Sequence, residues 1–181
     1  DELPEFDNDT ERLDWKFQQY MRDYMACVKS VDDSVAGLLD YLDENGLTED
    51  TLVIYTSDQG FYTGEHGWFD KRFMYEESHC MPFLAQMPGT IPAGQVSDEM
   101  ILNIDFADLF LDYAGVDRDE LDGQGRTFRA LLEGDASWEG YDEIYYRYWD
   151  YPSEHNVYPH FGIRTRTHKL MRFEDPLVEE G

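Results

Sequence analysis

Basic residues are scarce in this chain: 14 lysines and arginines stand against 40 aspartates and glutamates, a formal net charge of −26. Such a balance repels phosphate over most of the surface and excludes a nucleic-acid backbone as partner. Lysine is rarest, present only as Lys16, Lys29, Lys71 and Lys169, so each one calls for its own explanation. An acid-rich, lysine-poor surface suits high salt, where self-repulsion is screened; an ordinary solvated acidic surface has the same composition. Cysteine is limited to Cys27 and Cys80. One falls on a core position of a helix and the other in an apolar stretch, which reads as two buried thiols rather than a disulfide. No apolar run approaches a membrane span and no signal peptide opens the chain; neither absence settles localisation. No internal repeat or low-complexity segment stands out.

Aromatics, by contrast, make up 15% of the 181 residues, which argues against disorder and for one domain or large lobe with its own core. The acidic opening Asp1-Glu2-Leu3-Pro4 has no initiator Met, and Phe173-Glu174-Asp175-Pro176 leaves a strand shortly before the end, so the chain reads as an internal fragment. Thr10 is the expected N-cap of a long helix reaching Asn45. Its apolar stripe is Phe17, Tyr20, Tyr24, Cys27, Val31, Val35, Leu38 and Leu42, and Gly46 is its stop. Thr51–Thr56 reads as a buried parallel strand, because the apolar run Leu52-Val53-Ile54-Tyr55 is bounded by turn residues. Residues 58–78 form a long loop. Pro82–Met87 is a second strand, Asp105–Ala114 a helix stopped by Gly115, and Thr127–Leu132 a short helix closed by Gly134. This order suits an α/β layered fold. After Trp138 the texture changes: Ile144–Trp149 and Phe161–Phe173 alternate like antiparallel strands. The expected division is therefore residues 1–134, an α/β part, and 135–181, the start of an antiparallel C-terminal subdomain.

The segment with most chemistry follows the first strand: Tyr55-Thr56-Ser57-Asp58-Gln59-Gly60, then Gly64-Glu65-His66-Gly67-Trp68, then Asp70-Lys71. In open α/β sheets ligands bind beyond the carboxyl ends of strands, so this stretch reads as the rim of a metal-assisted ester hydrolase site. Asp58 and Gln59 supply one anionic and one amide oxygen, donors that suit Ca2+ or Mg2+; alone, such a pair is more often a turn or helix cap. Lys71 follows Asp58 by 13 residues (71 − 58) and suits a tetrahedral oxyanion, the alternative being a solvated surface lysine. His66, between glycines that allow close backbone approach, can protonate a leaving oxygen or simply pin the loop. Glu76 and Glu77 read as structural. His79-Cys80 lacks the further ligands a zinc site needs. His155 and His160 lie in an aromatic, proline-punctuated loop able to fold over a pocket and meet a sugar, or to pack as an aromatic loop.

At these residues the chain resembles the sulfatases of the alkaline-phosphatase-like superfamily, over nearly its whole length. The resemblance is carried by Tyr24–Asp33, by Tyr55–Gly60, by Gly64-Glu65-His66-Gly67-Trp68-Phe69-Asp70-Lys71-Arg72, by Met81-Pro82-Phe83 with Pro88-Gly89, and by Asn103–Ala107 with Asp112–Gly115. It implies that Asp58 and Gln59 are calcium ligands, that Lys71 holds the sulfate and helps neutralise the leaving oxygen, and that His66 sits at the substrate end. It implies a formylglycine nucleophile, made in a Cys/Ser-x-Pro/Ala-x-Arg motif. That motif is absent: Cys80-Met81-Pro82 is followed by Phe83 and Leu84, and Cys27-Val28-Lys29-Ser30 fails as well. The aspartate pair that completes the metal site early in family members is missing too, and Asp32-Asp33 is no substitute. His79-Cys80 falls where many relatives carry Leu-Arg.

The expectation is therefore the later part of a sulfatase, completed by an N-terminal half of the same protein. Its substrate would be a sulfated small molecule or glycan, with carbohydrate sulfates foremost. Many bacterial relatives are periplasmic or exported. Two other readings stay open: a phosphodiesterase or phosphonate hydrolase on the same scaffold, and a non-enzymatic acidic metal-binding module that folds alone.

Overall fold

The computed structural model describes residues 4–117 and 123–175, and the chain divides into two compact units, one ending at Thr51 and one beginning at Leu52. The boundary expected near residue 135 falls inside the second unit.

The first unit is one long helix, α1 (Asp9–Glu44), followed by a 3-10 turn at Thr48–Asp50. Its N-cap is Asn8, two residues before the expected Thr10. The Asn8 side chain accepts the Glu11 N–H at 2.9 Å, and the Glu11 carboxylate reaches back to the Asp7 N–H at 2.8 Å. That reciprocal pair is a stronger start signal than a lone threonine. Past Asn45 the chain leaves the helix through Gly46 at φ 66°, a conformation that favours glycine. Only Leu42 on α1 is buried. Phe17, Tyr24, Val31 and Leu38 of the predicted stripe are exposed, and so is Cys27. Periodicity states which residues share a face; it does not say what covers that face. No described helix is long and apolar enough to cross a membrane.

The second unit opens with β1 (Val53–Thr56), which pairs with β4 (Phe83–Gln86) in antiparallel register, Val53 opposite Gln86 and Thr56 opposite Phe83. The expectation of a buried parallel strand is corrected on both counts. The ribbon is antiparallel, and Tyr55 and Leu84 are exposed. A short apolar run carries burial preference but no strand direction. Between these strands lie the two-residue strands β2 (Tyr62–Thr63) and β3 (Phe69–Asp70), paired with each other, and the short helix α2 (Glu76–His79).

The core sits where β1 and β4 meet α3 (Asp105–Ala114) and α4 (Arg129–Leu132). Leu109, Phe128 and Leu132 are buried, and Ile54, Phe83, Ile101, Phe106 and Trp138 pack around them. Phe128 takes the edge of Phe106 at 5.5 Å and of Phe83 at 5.8 Å, geometries that aromatic rings favour. Asp105 is wholly buried, yet every donor it needs is present. Oδ2 accepts the Leu102 N–H at 2.8 Å, and Oδ1 accepts the Arg126 N–H at 3.0 Å and the Tyr141 hydroxyl at 2.6 Å. Gly115 ends α3 at φ 67° as expected.

The C-terminal strands form one antiparallel sheet in the order β5 (Glu143–Tyr148), β6 (His160–Thr165), β7 (Lys169–Phe173). The expected single run Phe161–Phe173 is thus two strands joined by a tight turn, in which the Thr165 N–H donates to the His168 carbonyl at 2.8 Å.

Candidate functional site

The chain leaves β1 into a turn fixed by Ser57, whose hydroxyl donates to the Gln59 carbonyl at 2.8 Å and to Asp58 Oδ1 at 3.3 Å. From the other side, Asn103 Nδ2 donates to the Asp58 carbonyl at 2.5 Å. The Asp58 side chain is exposed and that of Gln59 half-buried. Next, the Gly60 N–H donates to the Ser78 carbonyl at 2.8 Å. A Cβ on Gly60 would run into the Glu77 carbonyl, so only glycine lets this turn lie against α2.

The loop then passes through β2. Tyr62 is nearly fully buried, its hydroxyl donating to the Phe73 carbonyl at 3.0 Å, and burial pushes its pKa up to about 12. Gly64 and Gly67 have φ of 128° and 77°, and His66 between them takes the left-handed region at φ 58°. The imidazole is exposed. It stacks on Tyr75 with ring centroids 4.8 Å apart, and its Nε2 lies 3.2 Å from Glu77 Oε1. Glu77, read from sequence as structural, thus aims the histidine.

Lys71 follows β3. Its carbonyl accepts the Ser78 hydroxyl at 2.7 Å. Among the described residues its ammonium makes no ion pair, whereas Lys29 pairs with Asp33 and Lys169 with Glu76. An unpaired, half-buried cation on a chain of net charge −26 is available to an anion.

The residues on either side of Lys71 meet His155, which arrives from the loop between β5 and β6. Arg72 Nη2 stands 2.7 Å from His155 Nε2, and His155 Nδ1 stands 2.8 Å from Asp70 Oδ2. A guanidinium can only donate, so Nε2 accepts and the ring proton sits on Nδ1, close to the Asp70 carboxylate but out of line for a hydrogen bond to it. Asp70 itself adopts φ 83°, a strained conformation for a residue with a Cβ. The fold-back expected of this loop is therefore present for His155. His160 is a correction to that placement: it is the first residue of β6 and wholly buried, among Phe73, Tyr146, Tyr148 and Phe173, with Nδ1 2.9 Å from the Tyr158 carbonyl. Its alternation with Phe161 and Ile163 is the pattern of a strand, and the strand begins one residue earlier than read.

Behind this constellation, α2 is fixed to the C-terminal sheet. Glu76 takes Arg164 Nε and Nη2 at 3.1 Å each and Lys169 Nζ at 2.5 Å. Those partners, Arg164 first, hold its carboxyl well down, to about 2. His79 is pushed down to about 4 by burial, with the Lys169 charge acting in the same direction. Sequence reasoning assigned no role to Ser78, Asn103, Asp70 or Arg72. The last two stood beside Lys71 in the motif, which was the available signal; a serine whose work is done through main-chain bonds leaves none.

The comparisons with known proteins agree in direction. The family model described as sulfatase matches residues 2–116, and one described as N-sulphoglucosamine sulphohydrolase, C-terminal, matches residues 64–179. An N-acetylglucosamine-6-O-sulfatase of Bacteroides thetaiotaomicron is 47% identical over 171 residues, which is 92% of this chain and 30% of that relative. A solved structure described as a complex with its substrate, D-glucosamine-2-N,6-O-disulfate, superimposes with a TM-score of 0.86 at 46% identity, covering 95% of this chain and 35% of the other. A phosphonate monoester hydrolase from Silicibacter pomeroyi shares the fold, with a TM-score of 0.68 at 23% identity over 79% of this chain and 30% of its own. The chain thus spans about a third of the length of these three relatives.

Proposed function

The chain belongs to the sulfatase family, with its alkaline-phosphatase-like fold, and on that basis we propose that it carries the Lys71 side of the active site of a carbohydrate sulfatase. The reaction is hydrolysis of a sulfate ester, and the substrate is a 6-O-sulfated glucosamine, the chemistry of the N-acetylglucosamine-6-O-sulfatase relative and of the sugar in the superimposed complex.

The observation that carries this reading is the state of Lys71: a cation without an ion pair among the described residues, in a chain of net charge −26. Lys71 binds a sulfate oxygen and stabilises charge that develops on it as the ester bond breaks. His66, aimed by Glu77, donates a proton or hydrogen bond to the leaving alcohol oxygen. His155 binds the sugar through the two residues it holds: Arg72 offers donors and Asp70 an acceptor to the sugar hydroxyls. His160 backs this loop from the interior.

Asp58 and Gln59 would hold Ca2+, with Mg2+ as the alternative. One carboxylate and one amide oxygen are the hard donors these ions prefer, but Ca2+ takes about six to eight oxygens. No group of three His, Cys, Asp or Glu is gathered for a metal among the described residues, so the pair fits as part of a shell completed from outside this chain. The ion would hold the sulfate as a Lewis acid. The nucleophile is a formylglycine, also contributed from outside these residues.

The test is the full-length gene product, assayed with N-acetylglucosamine-6-sulfate and with an aryl phosphodiester. Sulfate-ester turnover should dominate and should collapse in Lys71→Ala. Dominant phosphodiester turnover would move the chain to the phosphonate-hydrolase reading, and full activity of Lys71→Ala would remove Lys71 from the site.

A further inference from the structure

Ser78 touches both halves of the proposed site through different atoms. Its carbonyl accepts the Gly60 N–H at 2.8 Å, next to Asp58 and Gln59, and its hydroxyl donates to the Lys71 carbonyl at 2.7 Å. The residue is 5% exposed, so this hydroxyl has little water to turn to. The Gly60 turn lies against the main chain of Glu77 so closely that no side chain fits between them. The helix that carries Ser78 is itself held: Glu76 makes a two-pronged ion pair with Arg164 and a third contact with Lys169, from β6 and β7. Two-pronged carboxylate–guanidinium pairs fix orientation as well as distance.

From this geometry we propose that Ser78 is a positioning residue for sulfate-ester hydrolysis, setting the register between the Asp58–Gln59 turn and Lys71. The inference rests on the reading of those three residues given above. The Gly60 N–H and the Ser78 hydroxyl are each spent on a main-chain carbonyl. Both act by fixing main chain: the carbonyl of residue 78 anchors the metal-side turn, and the hydroxyl anchors the lysine. A lysine side chain has four rotatable carbons, and its ammonium is placed only as well as its own main chain is. Displacement of a charge-stabilising group by about 1 Å costs on the order of a hundredfold in rate.

The two anchors separate by mutation. Ser78→Ala removes the hydroxyl and keeps the carbonyl, so it releases Lys71 and leaves Gly60 in place. Gly60→Ala forces the Asp58–Gln59 turn away from α2 and leaves the Lys71 bond. In the full-length gene product, Ser78→Ala is expected to lower kcat on N-acetylglucosamine-6-sulfate by between about ten- and a hundredfold. It should weaken inorganic sulfate binding measured by calorimetry, with the half-saturating Ca2+ concentration unchanged. Gly60→Ala should raise the half-saturating Ca2+ concentration, read also as a smaller thermal shift on adding Ca2+. A wild-type kcat in Ser78→Ala overturns the proposal, and so does a loss of Ca2+ affinity in that variant equal to its loss of kcat, which would be general loosening. If the variants do not fold, amide exchange in the wild-type protein decides. Inorganic sulfate should slow exchange at the Gly60 N–H together with the Lys71 segment, and protection of the Lys71 segment alone overturns the proposal. Lys71→Ala serves as the reference: if it keeps full turnover, the functional reading has failed independently of Ser78.

Discussion

Arg72 and His155 lie 83 residues apart in sequence and 2.7 Å apart in space, Nη2 against Nε2. The contact brings the loop between β5 and β6 onto the residues flanking Lys71, and Asp70 closes it from the other side of the ring. Both imidazole nitrogens are taken, one by the guanidinium and one beside the carboxylate, so His155 fixes Arg72 and Asp70, whose remaining donors and acceptor suit a neutral, hydroxyl-rich group beside a bound anion.

That arrangement predicts a split between sugar and sulfate recognition. His155→Ala in the full-length gene product should lower kcat/KM for N-acetylglucosamine-6-sulfate by about ten- to a hundredfold, the loss of one or two charge-assisted hydrogen bonds from Arg72 and Asp70 once the ring no longer holds them. Inhibition by inorganic sulfate should be unchanged, because sulfate needs Lys71 and not the sugar contacts. Equal losses for both would place His155 outside sugar recognition.

The Glu76 clamp sets an acid limit. The folded carboxyl lies at about 2, below its ordinary 4.5, so ionisation favours the folded state. Its contribution is complete above pH 4.5 and is lost as pH falls through about 2. With the carboxylate 54% exposed, solvent screening limits that contribution to about 1 kcal/mol. Glu76→Gln should lower the urea unfolding midpoint at pH 7, and the gap to wild type should close on acidification below pH 4.5. A gap independent of pH would show that the charge is not what holds α2.

His79 has the same sign for a different reason: its neutral form, not its charged form, is the one the fold favours. Burial holds its folded pKa at about 4, below its ordinary 6.5, so the unfolded chain binds the proton more readily. Stability should therefore rise with pH between about 4 and 6.5, by at most about 1.4 kcal/mol per pH unit. His79→Leu should flatten that slope in thermal melts; an unchanged slope would assign it to other groups.

Asp105 makes a structural prediction. Each of its oxygens accepts only from donors, so the amide of Asp105→Asn turns an N–H toward an N–H or the Tyr141 hydroxyl. The expected cost is about 2–3 kcal/mol in chemical unfolding, the range for a buried charged acceptor left mismatched. A neutral effect would show that the α3 start rearranges freely.

Much of the fold was readable in local chemistry. Gly46, Gly115 and Gly134 each stop an element at positive φ, and the aromatic alternation after Trp138 became the C-terminal sheet. Strand direction was not readable in Leu52–Tyr55, because direction is decided by the partner, Phe83–Gln86, and not by the run itself. The two thiols expected to be buried, Cys27 and Cys80, are both exposed, since an apolar stretch or helix face states a preference and not a neighbour. Of the proposed site, Asp58, Gln59, His66 and Lys71 stood out in the sequence by type and spacing. Ser78, by contrast, works through a hydroxyl and a carbonyl that any loop serine possesses. His155 was visible as a histidine in a loop, but its tie to Asp70 and Arg72 depends on the return path of the chain over the intervening helices and strands.

The central claim is that the Asp58–Gln59 turn and Lys71 act on one bound sulfate. The most direct measurement is a double-mutant cycle on kcat/KM for N-acetylglucosamine-6-sulfate, with Asp58→Ala, Lys71→Ala and the double variant of the full-length gene product. Each single change should cost on the order of a hundredfold or more, and the double variant should be little worse than the weaker single one, because both groups serve the same charge. Losses that multiply in full, as for two independent sites, would contradict the account.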